Sequence, residues 1–406
     1  MEKTPKSMRL QVALFGRVNT GKSSVLNMIA GQQVAITSSV PGTTTDVVEK
    51  SMELLPVGPV LFLDTAGLDD RTELGGLRAA KTHKIFDRAD IIILVAEPGI
   101  WGECEEETAR RAAEKKIPVL VLVNKTDLRA PSKEFMARLG AKFAAVLACS
   151  ATESSGREAF MERFKQALLK LQASKSAGPA SILRDLVPPL KTAVLIIPID
   201  KEAPKGRIIL PQVQALRELL DNGSISVAVR ESEYPAALSG LREAPALVVC
   251  DSQVVDFMVR HTPPEVPCTT FSILFARFKG DFDRLVAGAQ AVEQLRPGDK
   301  VLVAEACSHH PIEDDIGRVK LPRWLKEKAG GELAIDTVSG RDFPQDLKGY
   351  KAVIMCGSCM LTRTETLNRI NLAAAAGVPV TNYGLAIAAA KNVLPRVLQP
   401  FAKTSP

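Results

Sequence analysis

The sequence predicts an α/β protein with mostly parallel sheets, and three observations predict it. Short apolar runs of strand length alternate with longer amphipathic runs from about residue 10 to residue 170. That alternation belongs to parallel strands covered by helices on both faces. A second alternation of the same kind begins near residue 180 and continues towards the C-terminus. At about 150 residues per domain, 406 residues with 46% hydrophobic and 24% charged side chains supply two or three globular domains.

Leu10–Phe15 reads as the first strand, and Lys22–Ala30 as the opening of the first helix. Further strand-sized runs lie at 60–64, 91–96, 118–124 and 144–149, with helical patterns at 77–86, 105–116 and 158–171. At 172–179, Ser, Lys, Ala, Gly and Pro replace the helical pattern and mark a boundary. Beyond it the reading gives strands at 193–199, 225–230, 246–250 and 269–274, a helix at 211–220 and a long helix at 278–295. Strands at 300–305, 333–338, 351–355 and 378–381 follow, with helices at 321–328 and 364–376. The first expected domain is 1–172; periodicity leaves open whether 180–265 and 266–406 are one further domain or two, and the Pro-rich stretch 262–267 is the better candidate for a cut.

Composition excludes several classes. No apolar run approaches the ~18 residues of a membrane span. The polar start Met-Glu-Lys-Thr-Pro-Lys does not read as a signal peptide, so a cytoplasmic protein with no membrane partner is expected. Seven cysteines, an odd and sparse set, make no disulfide framework. The net charge of +6 divides into +3 over 1–170, −1 over 171–270 and +4 over 271–406. No segment carries the clustered basic stripe that would call for nucleic acid.

Gly16-Arg17-Val18-Asn19-Thr20-Gly21-Lys22-Ser23 fits the G-x-x-x-x-G-K-S loop and stands between a strand and a helix. Gly16 and Gly21 let the backbone curl so that successive N–H groups, up to Ser24, face phosphates. Lys22 supplies a charge to the β/γ-phosphates, and the Ser23 hydroxyl completes Mg²⁺ coordination. A Gly-rich turn alone would not be followed by three more elements in order. Asp64-Thr65-Ala66-Gly67 ends a strand, where Asp64 can hold Mg²⁺ through water and the Gly67 N–H can meet the γ-phosphate. Asn124-Lys125-Thr126-Asp127 ends another, and a carboxylate at Asp127 accepts from the guanine N1–H and N2–H₂ donors, a pair adenine lacks. Ser150-Ala151-Thr152 fits a loop closing over the guanine O6. Four such elements specify a P-loop GTPase domain that takes GTP or GDP with Mg²⁺.

Leu68 stands where Ras-like proteins carry a water-orienting Gln, and an apolar side chain cannot do that work. Unaided hydrolysis of GTP to GDP and phosphate is therefore expected to be slow. Asn19 in the phosphate loop, with Pro41-Gly42-Thr43-Thr44-Thr45-Asp46 as the first switch, resembles the bacterial TrmE–Era–EngA group. The resemblance implies K⁺ near Asn19, in the place of an arginine finger. It also implies a Mg²⁺-binding Thr among 43–45, here taken as Thr44. Lys22, Asn19 and Thr44 are then the expected catalytic groups. Because that group mostly serves ribosomes or tRNA, one candidate function is a ribosome- or RNA-associated K⁺-dependent GTPase with a C-terminal zinc module.

The second site begins with Cys307-Ser308-His309-His310-Pro311, which follows the strand at 300–305. Cys356-Gly357-Ser358-Cys359 follows the strand at 351–355, so both segments fall past strand carboxyl ends, where open α/β sheets place ligands. Thiolates separated by two residues can grip one metal or one cluster. Cys104, Cys149, Cys250 and Cys268 lack partners at such spacing and read as ordinary thiols. The spacing of Cys307, Cys356 and Cys359 with a histidine suits structural Zn²⁺ and an iron–sulfur cluster equally. A C-x-x-C redox pair is a third option.

The combination of a K⁺-type GTPase domain with C-x-H…C-x-x-C resembles the [FeFe]-hydrogenase maturation GTPases, the HydF family, over essentially the whole chain. The resemblance implies a GTPase domain followed by two further α/β domains: a dimerisation domain at 180–265 and a cluster-binding domain at 266–406, in a homodimer. By position Cys307, Cys356 and Cys359 match the family's 4Fe–4S ligands, and His309 its histidine. Some members carry a histidine directly before the C-x-x-C; Met355 stands there in this chain, and a thioether is a poor substitute. His309 as fourth ligand and an exchangeable fourth site both stay open. The implied function is that of scaffold and carrier. A two-iron H-cluster precursor, built with radical-SAM maturases, is received and delivered to apo-[FeFe]-hydrogenase.

Overall fold

Among the described residues three sheets form from the apolar runs. The computed structural model describes residues 4–31, 48–65, 84–153, 156–174, 181–199, 208–306, 315–340 and 342–402. The chain divides into two units, Met1–Ala177 and Gly178–Pro406.

The first unit holds β1 (Leu10–Phe15), β2 (Val48–Leu54), β3 (Gly58–Asp64), β4 (Ile91–Ala96), β5 (Val119–Val123) and β6 (Ala145–Ala148). Their order is β2-β3-β1-β4-β5-β6; β2 runs antiparallel to β3 and the remaining pairs are parallel. Successive residues of β1 point to opposite faces. Val12 and Leu14 pack with α1 (Lys22–Ala30) and with Phe160 and Phe164, while Ala13 and Phe15 pack with Phe86, Ala112 and Leu139. Ala112 belongs to α2 (Glu103–Glu114), Leu139 to α3 (Lys133–Lys142), and both Phe160 and Phe164 to α4 (Arg157–Ser174). β2 and α3 have no counterpart in the sequence reading. β2 mixes charged and apolar residues as an edge strand does, and α3 buries only Phe135 and Leu139. Most of the expected helix at 77–86 lies outside the described residues.

The second unit holds two all-parallel sheets. One has the order β10-β9-β7-β8, from β7 (Thr192–Ile196), β8 (Ile225–Val229), β9 (Leu247–Cys250) and β10 (Cys268–Thr270). The other has the order β12-β11-β13-β14, from β11 (Lys300–Ala304), β12 (Ala334–Val338), β13 (Ala352–Met355) and β14 (Val380–Asn382). Val194, Val248, Val301 and Val353 share one continuous core, so the two sheets bury apolar surface together. The helices are α5 (Leu210–Asp221), α6 (Tyr234–Ser239), α7 (Val255–His261), α8 (Phe271–Lys279), α9 (Phe282–Glu293), α10 (Leu321–Ala329), α11 (Arg363–Ala375), α12 (Tyr383–Ala390) and α13 (Leu394–Leu398).

Two expectations are corrected here. The strand expected at 269–274 stops at Thr270, whose hydroxyl accepts from the Ile273 N–H and starts α8. Phe271, Ile273, Leu274 and Phe275 are buried all round, so the run carried no helical stripe. The single helix expected at 278–295 is two, broken at Gly280. A side chain there would lie 2.7 Å from the Ala276 carbonyl oxygen, and Asp281 caps the next helix through the Arg284 N–H. α12 was not foreseen for the same reason as α8, since Gly384 through Ala389 are all buried. Among the described residues no helix is long and apolar enough to cross a membrane.

Candidate functional site

The first site forms where β1, β3, β5 and β6 end on one rim. Residues 16–21 leave β1 and enter α1, with Asn19 (φ 63°) and Gly21 (φ 88°) in left-handed backbone. At Gly21 a side chain would also strike the Asn124 amide, 2.4 Å from its ideal Cβ. The Lys22 ammonium donates to the carbonyl oxygens of Gly16 (3.0 Å) and Arg17 (2.7 Å), folded over the loop it would share with a phosphate. Ser23 Oγ donates to Asp64 Oδ2 at 2.8 Å. Burial raises the Asp64 pKa, against the Ser23 hydrogen bond and the Lys22 charge. Among the described residues the buried Asp64 Oδ1 has no hydrogen-bond partner. A hydroxyl and an orphaned carboxylate oxygen on this rim fit a hydrated Mg²⁺. Thr44 and Gly67 lie outside the described residues.

Asn124 ties the loops together. Its Nδ2 donates to the Thr20 carbonyl oxygen (2.9 Å), and its Oδ1 accepts from the Ala151 N–H (3.0 Å). Lys125, left-handed at φ 62°, pairs with Glu97 at 2.7 Å. Asp127 is held by Ser150 Oγ (2.7 Å) and Thr152 Oγ1 (3.3 Å), and the Ser150 hydrogen bond leads in lowering its pKa. An oriented, ionised carboxylate at the rim suits the paired donors of a guanine edge. Sequence reasoning missed Arg17, which forks onto the buried Glu105 at 2.8 and 2.9 Å and anchors the loop to α2. Ser24 stands at the third position of α1.

The second site lies at the carboxyl ends of β11 and β13, adjacent parallel strands in which Ala304 faces Met355. The Cys356 N–H donates to the Ala304 carbonyl oxygen at 2.9 Å, and the Ala306 N–H donates to Cys356 Sγ at 3.1 Å. The loop leading to Cys307 therefore starts against the C-x-x-C; Cys307 and His309 themselves lie outside the described residues. Ser358 (φ 54°) turns the chain, and Thr362 with Glu365 closes a capping box that starts α11. Without a metal, burial and the neighbouring Cys359 push the Cys356 thiol up to about 11, against N–H donors of Ser358 and Ala306. Among the described residues Cys356 and Cys359 are joined by no disulfide. Among the described residues no group of three His, Cys, Asp or Glu gathers as a metal site. The paired sulfurs and the N–H donor to Cys356 fit a thiolate-bound metal group.

Two neighbours carried no sequence signal. Lys279, at the end of α8, donates to carbonyl oxygens of Ser358 (3.0 Å), Cys359 (3.1 Å) and Leu361 (2.7 Å). Burial pulls its pKa down to about 8, against the negative influence of Cys359, Glu365 and Cys356. The buried Glu305 accepts from Arg318 Nε (3.3 Å), Ser339 Oγ (3.1 Å) and the Tyr383 hydroxyl (3.5 Å).

A six-stranded sheet with a phosphate loop and the oriented Asp127 carboxylate on one rim defines the first unit as a P-loop GTPase domain. Residues 11–125 match the family model described as "50S ribosome-binding GTPase". Residues 182–280 match the "Hydrogen maturase F dimerization domain" and residues 283–400 the "Hydrogen maturase F tetramerization domain". The chain belongs to the hydrogen maturase F (HydF) family.

Curated relatives resemble the GTPase portion. The "tRNA modification GTPase MnmE" of Prochlorococcus marinus (strain NATL1A) is 38% identical over 120 residues, 29% of this chain and 26% of the relative. "GTPase Der" of Wolinella succinogenes is 36% identical over 139 residues, 33% of this chain and 28% of the relative. The chain thus spans about a quarter of the length of these relatives. Among solved structures, a point variant of Aquifex aeolicus Era bound to GDP·AlF₄⁻ is 18% identical, with a TM-score of 0.36 over 62% of this chain and 97% of that one. Toc33 of Arabidopsis thaliana with Mg²⁺ and GMPPNP is 15% identical, with a TM-score of 0.34 over 41% of this chain and 85% of that one.

Proposed function

We propose that this hydrogenase-maturation GTPase is a scaffold and carrier. It holds a 4Fe–4S cluster, receives a two-iron precursor from radical-SAM maturases and delivers it to apo-[FeFe]-hydrogenase. The observation that supports this reading most is the pairing of two hydrogen maturase F models, spanning more than half the chain, with a C-x-x-C on a parallel strand end. Cys307, Cys356, Cys359 and, as one option, His309 would hold the cluster, which supplies an iron able to share a ligand with cargo. The +4 over residues 271–406 favours an anionic diiron complex. The dimerisation and tetramerization matches support self-association, with 180–265 as the proposed dimerisation domain and 266–406 as the cluster domain.

In the first unit, Gly16, Gly21, Lys22, Ser23 and Ser24 would cradle the phosphates, with Ser23, Asp64 and Thr44 around Mg²⁺ and Gly67 at the γ-phosphate. Asn19 would hold K⁺, and Lys22, Asn19 and Thr44 would carry slow, K⁺-stimulated hydrolysis as a switch on partner exchange. Asn124, Lys125, Asp127, Ser150 and Ala151 would frame the guanine. Asp127→Asn removes an ionised acceptor from two hydrogen bonds worth about 1.5–3 kcal/mol each, so GDP affinity should fall at least about 100-fold by fluorescent-nucleotide titration. Asn19→Ala should abolish the difference between hydrolysis rates in KCl and NaCl.

The cluster reading is tested by iron, sulfide and zinc analysis of protein purified and reconstituted without oxygen. Iron with matching sulfide, and a reduced-state EPR signal weakened by Cys356→Ser, is the expected result. Stoichiometric zinc, or Cys356→Ser with unchanged iron content, would refute it.

A further inference from the structure

We propose that Lys279 is the buried counter-charge of the C-x-x-C site, fixing the main chain of 358–361 and offsetting the negative charge of a thiolate-bound cluster. The inference rests on the cluster reading above. Lys279 is 2% exposed, and its ammonium lies 5.8 Å from the Phe275 ring centroid. An ammonium has three N–H donors. Here they meet carbonyl oxygens of Ser358, Cys359 and Leu361, all on one loop. Among the described residues its hydrogen-bond partners thus include no carboxylate.

Carbonyl groups satisfy the protons of a buried ammonium but leave its charge uncompensated, and an uncompensated buried charge is costly. The negative groups that act on it are Cys359, Glu365 and Cys356; two of the three are sulfurs of the loop that Lys279 grips, one of its bonds being to the carbonyl of Cys359 itself. A cluster on three thiolates is a net anion, and reduction makes it more negative. Its potential follows net charge, hydrogen bonding to sulfur and exposure. A cation fixed beside the loop therefore favours the reduced state and raises the reduction potential. Lys279 also holds the turn in the conformation that Ser358 adopts at φ 54°. It is a positioning residue, acting through the loop and its charge rather than by touching iron.

The test compares full-length wild type with Lys279→Gln, Lys279→Arg and Lys279→Met, all reconstituted anaerobically with iron and sulfide. Iron and sulfide per chain and an EPR-monitored redox titration are the readouts. Lys279→Gln keeps N–H donors without the charge and should load near the wild-type level but at a lower potential. Lys279→Arg should restore the potential, and Lys279→Met should retain several-fold less iron. Lys279→Gln loading at the wild-type potential overturns the proposal, as does Lys279→Met matching wild type in both readouts. If Lys279→Met loses its fold by circular dichroism, Gln against Arg decides, since both donate and only one is charged. A wild type that takes up no cluster overturns the cluster reading and this proposal with it. A wild type that loads beside indifferent variants overturns this proposal alone.

Discussion

At the scale of single residues, side chains serve the sites chiefly by holding loops in place. Asn124 stands in a motif read as base recognition, yet it is 2% exposed and bridges the phosphate loop to the loop at 150–152. Asn124→Ala leaves the Thr20 carbonyl and the Ala151 N–H without that partner, at about 1–3 kcal/mol for each group left buried and unpaired. Affinity for GDP should fall at least about tenfold, measured by nucleotide titration, and the melting temperature should fall with it. Three thiols outside the C-x-x-C, Cys149, Cys250 and Cys268, are buried. Burial pushes Cys149 up to about 12, Cys268 up to about 11 and Cys250 well above the usual thiol range. These three should resist iodoacetamide at pH 8 in the folded protein and react in urea, as mass spectrometry of labelled peptides would record. Labelling of any of them at the rate of a free thiol would contradict their placement in the core.

At the scale of elements, amphipathic helices and buried strands were legible, and fully buried helices were not. α1 and α5 show a polar face and were read to within a residue. α8 and α12 each hold an apolar run buried on every side, 273–276 and 384–389, so hydropathy alone gives them the same signature as a strand. Their packing leaves little tolerance. Gly288 of α9 lies so close to β14 that an added Cβ would fall 1.9 Å from the Val380 carbonyl oxygen. Gly288→Ala should therefore cost about 1–3 kcal/mol, a shift of several degrees in melting temperature. Gly240→Ala serves as the control, because its nearest neighbours would stand at 3.5 and 3.6 Å. Equal melting temperatures for the two variants would show that α9 can move away from β14.

At the scale of the whole molecule, each unit has cores of its own. The clusters around Val12 and Ala13 draw on residues of the first unit alone, and those around Val194 and Ala193 on the second alone. A fragment comprising 178–406 should therefore fold alone, with cooperative melting and the helical circular dichroism of its parent. Reconstituted anaerobically, it should take up iron to the level of the full chain. A fragment that melts without cooperativity would show that the second unit needs the first. The second unit also shows where reading by segments stops. β10 follows the Pro-rich stretch yet pairs with β9, while the two sheets share one core.

By itself the sequence determined the alternating α/β class, the phosphate loop between a strand and a helix, and the C-x-x-C past a strand end. Those features are local: a strand, a turn and a few side chains at fixed spacing define each. The tertiary structure decided what depends on distant residues meeting. It placed Ala306 against the Cys356 sulfur across 50 positions and Asn124 against Thr20 across 104. It also turned Lys279, in sequence only the polar end of an apolar run, into a buried cation beneath a loop 80 residues away. Charge and hydrogen-bond partners at such sites follow from the packing of separate elements, which no periodicity along one segment records.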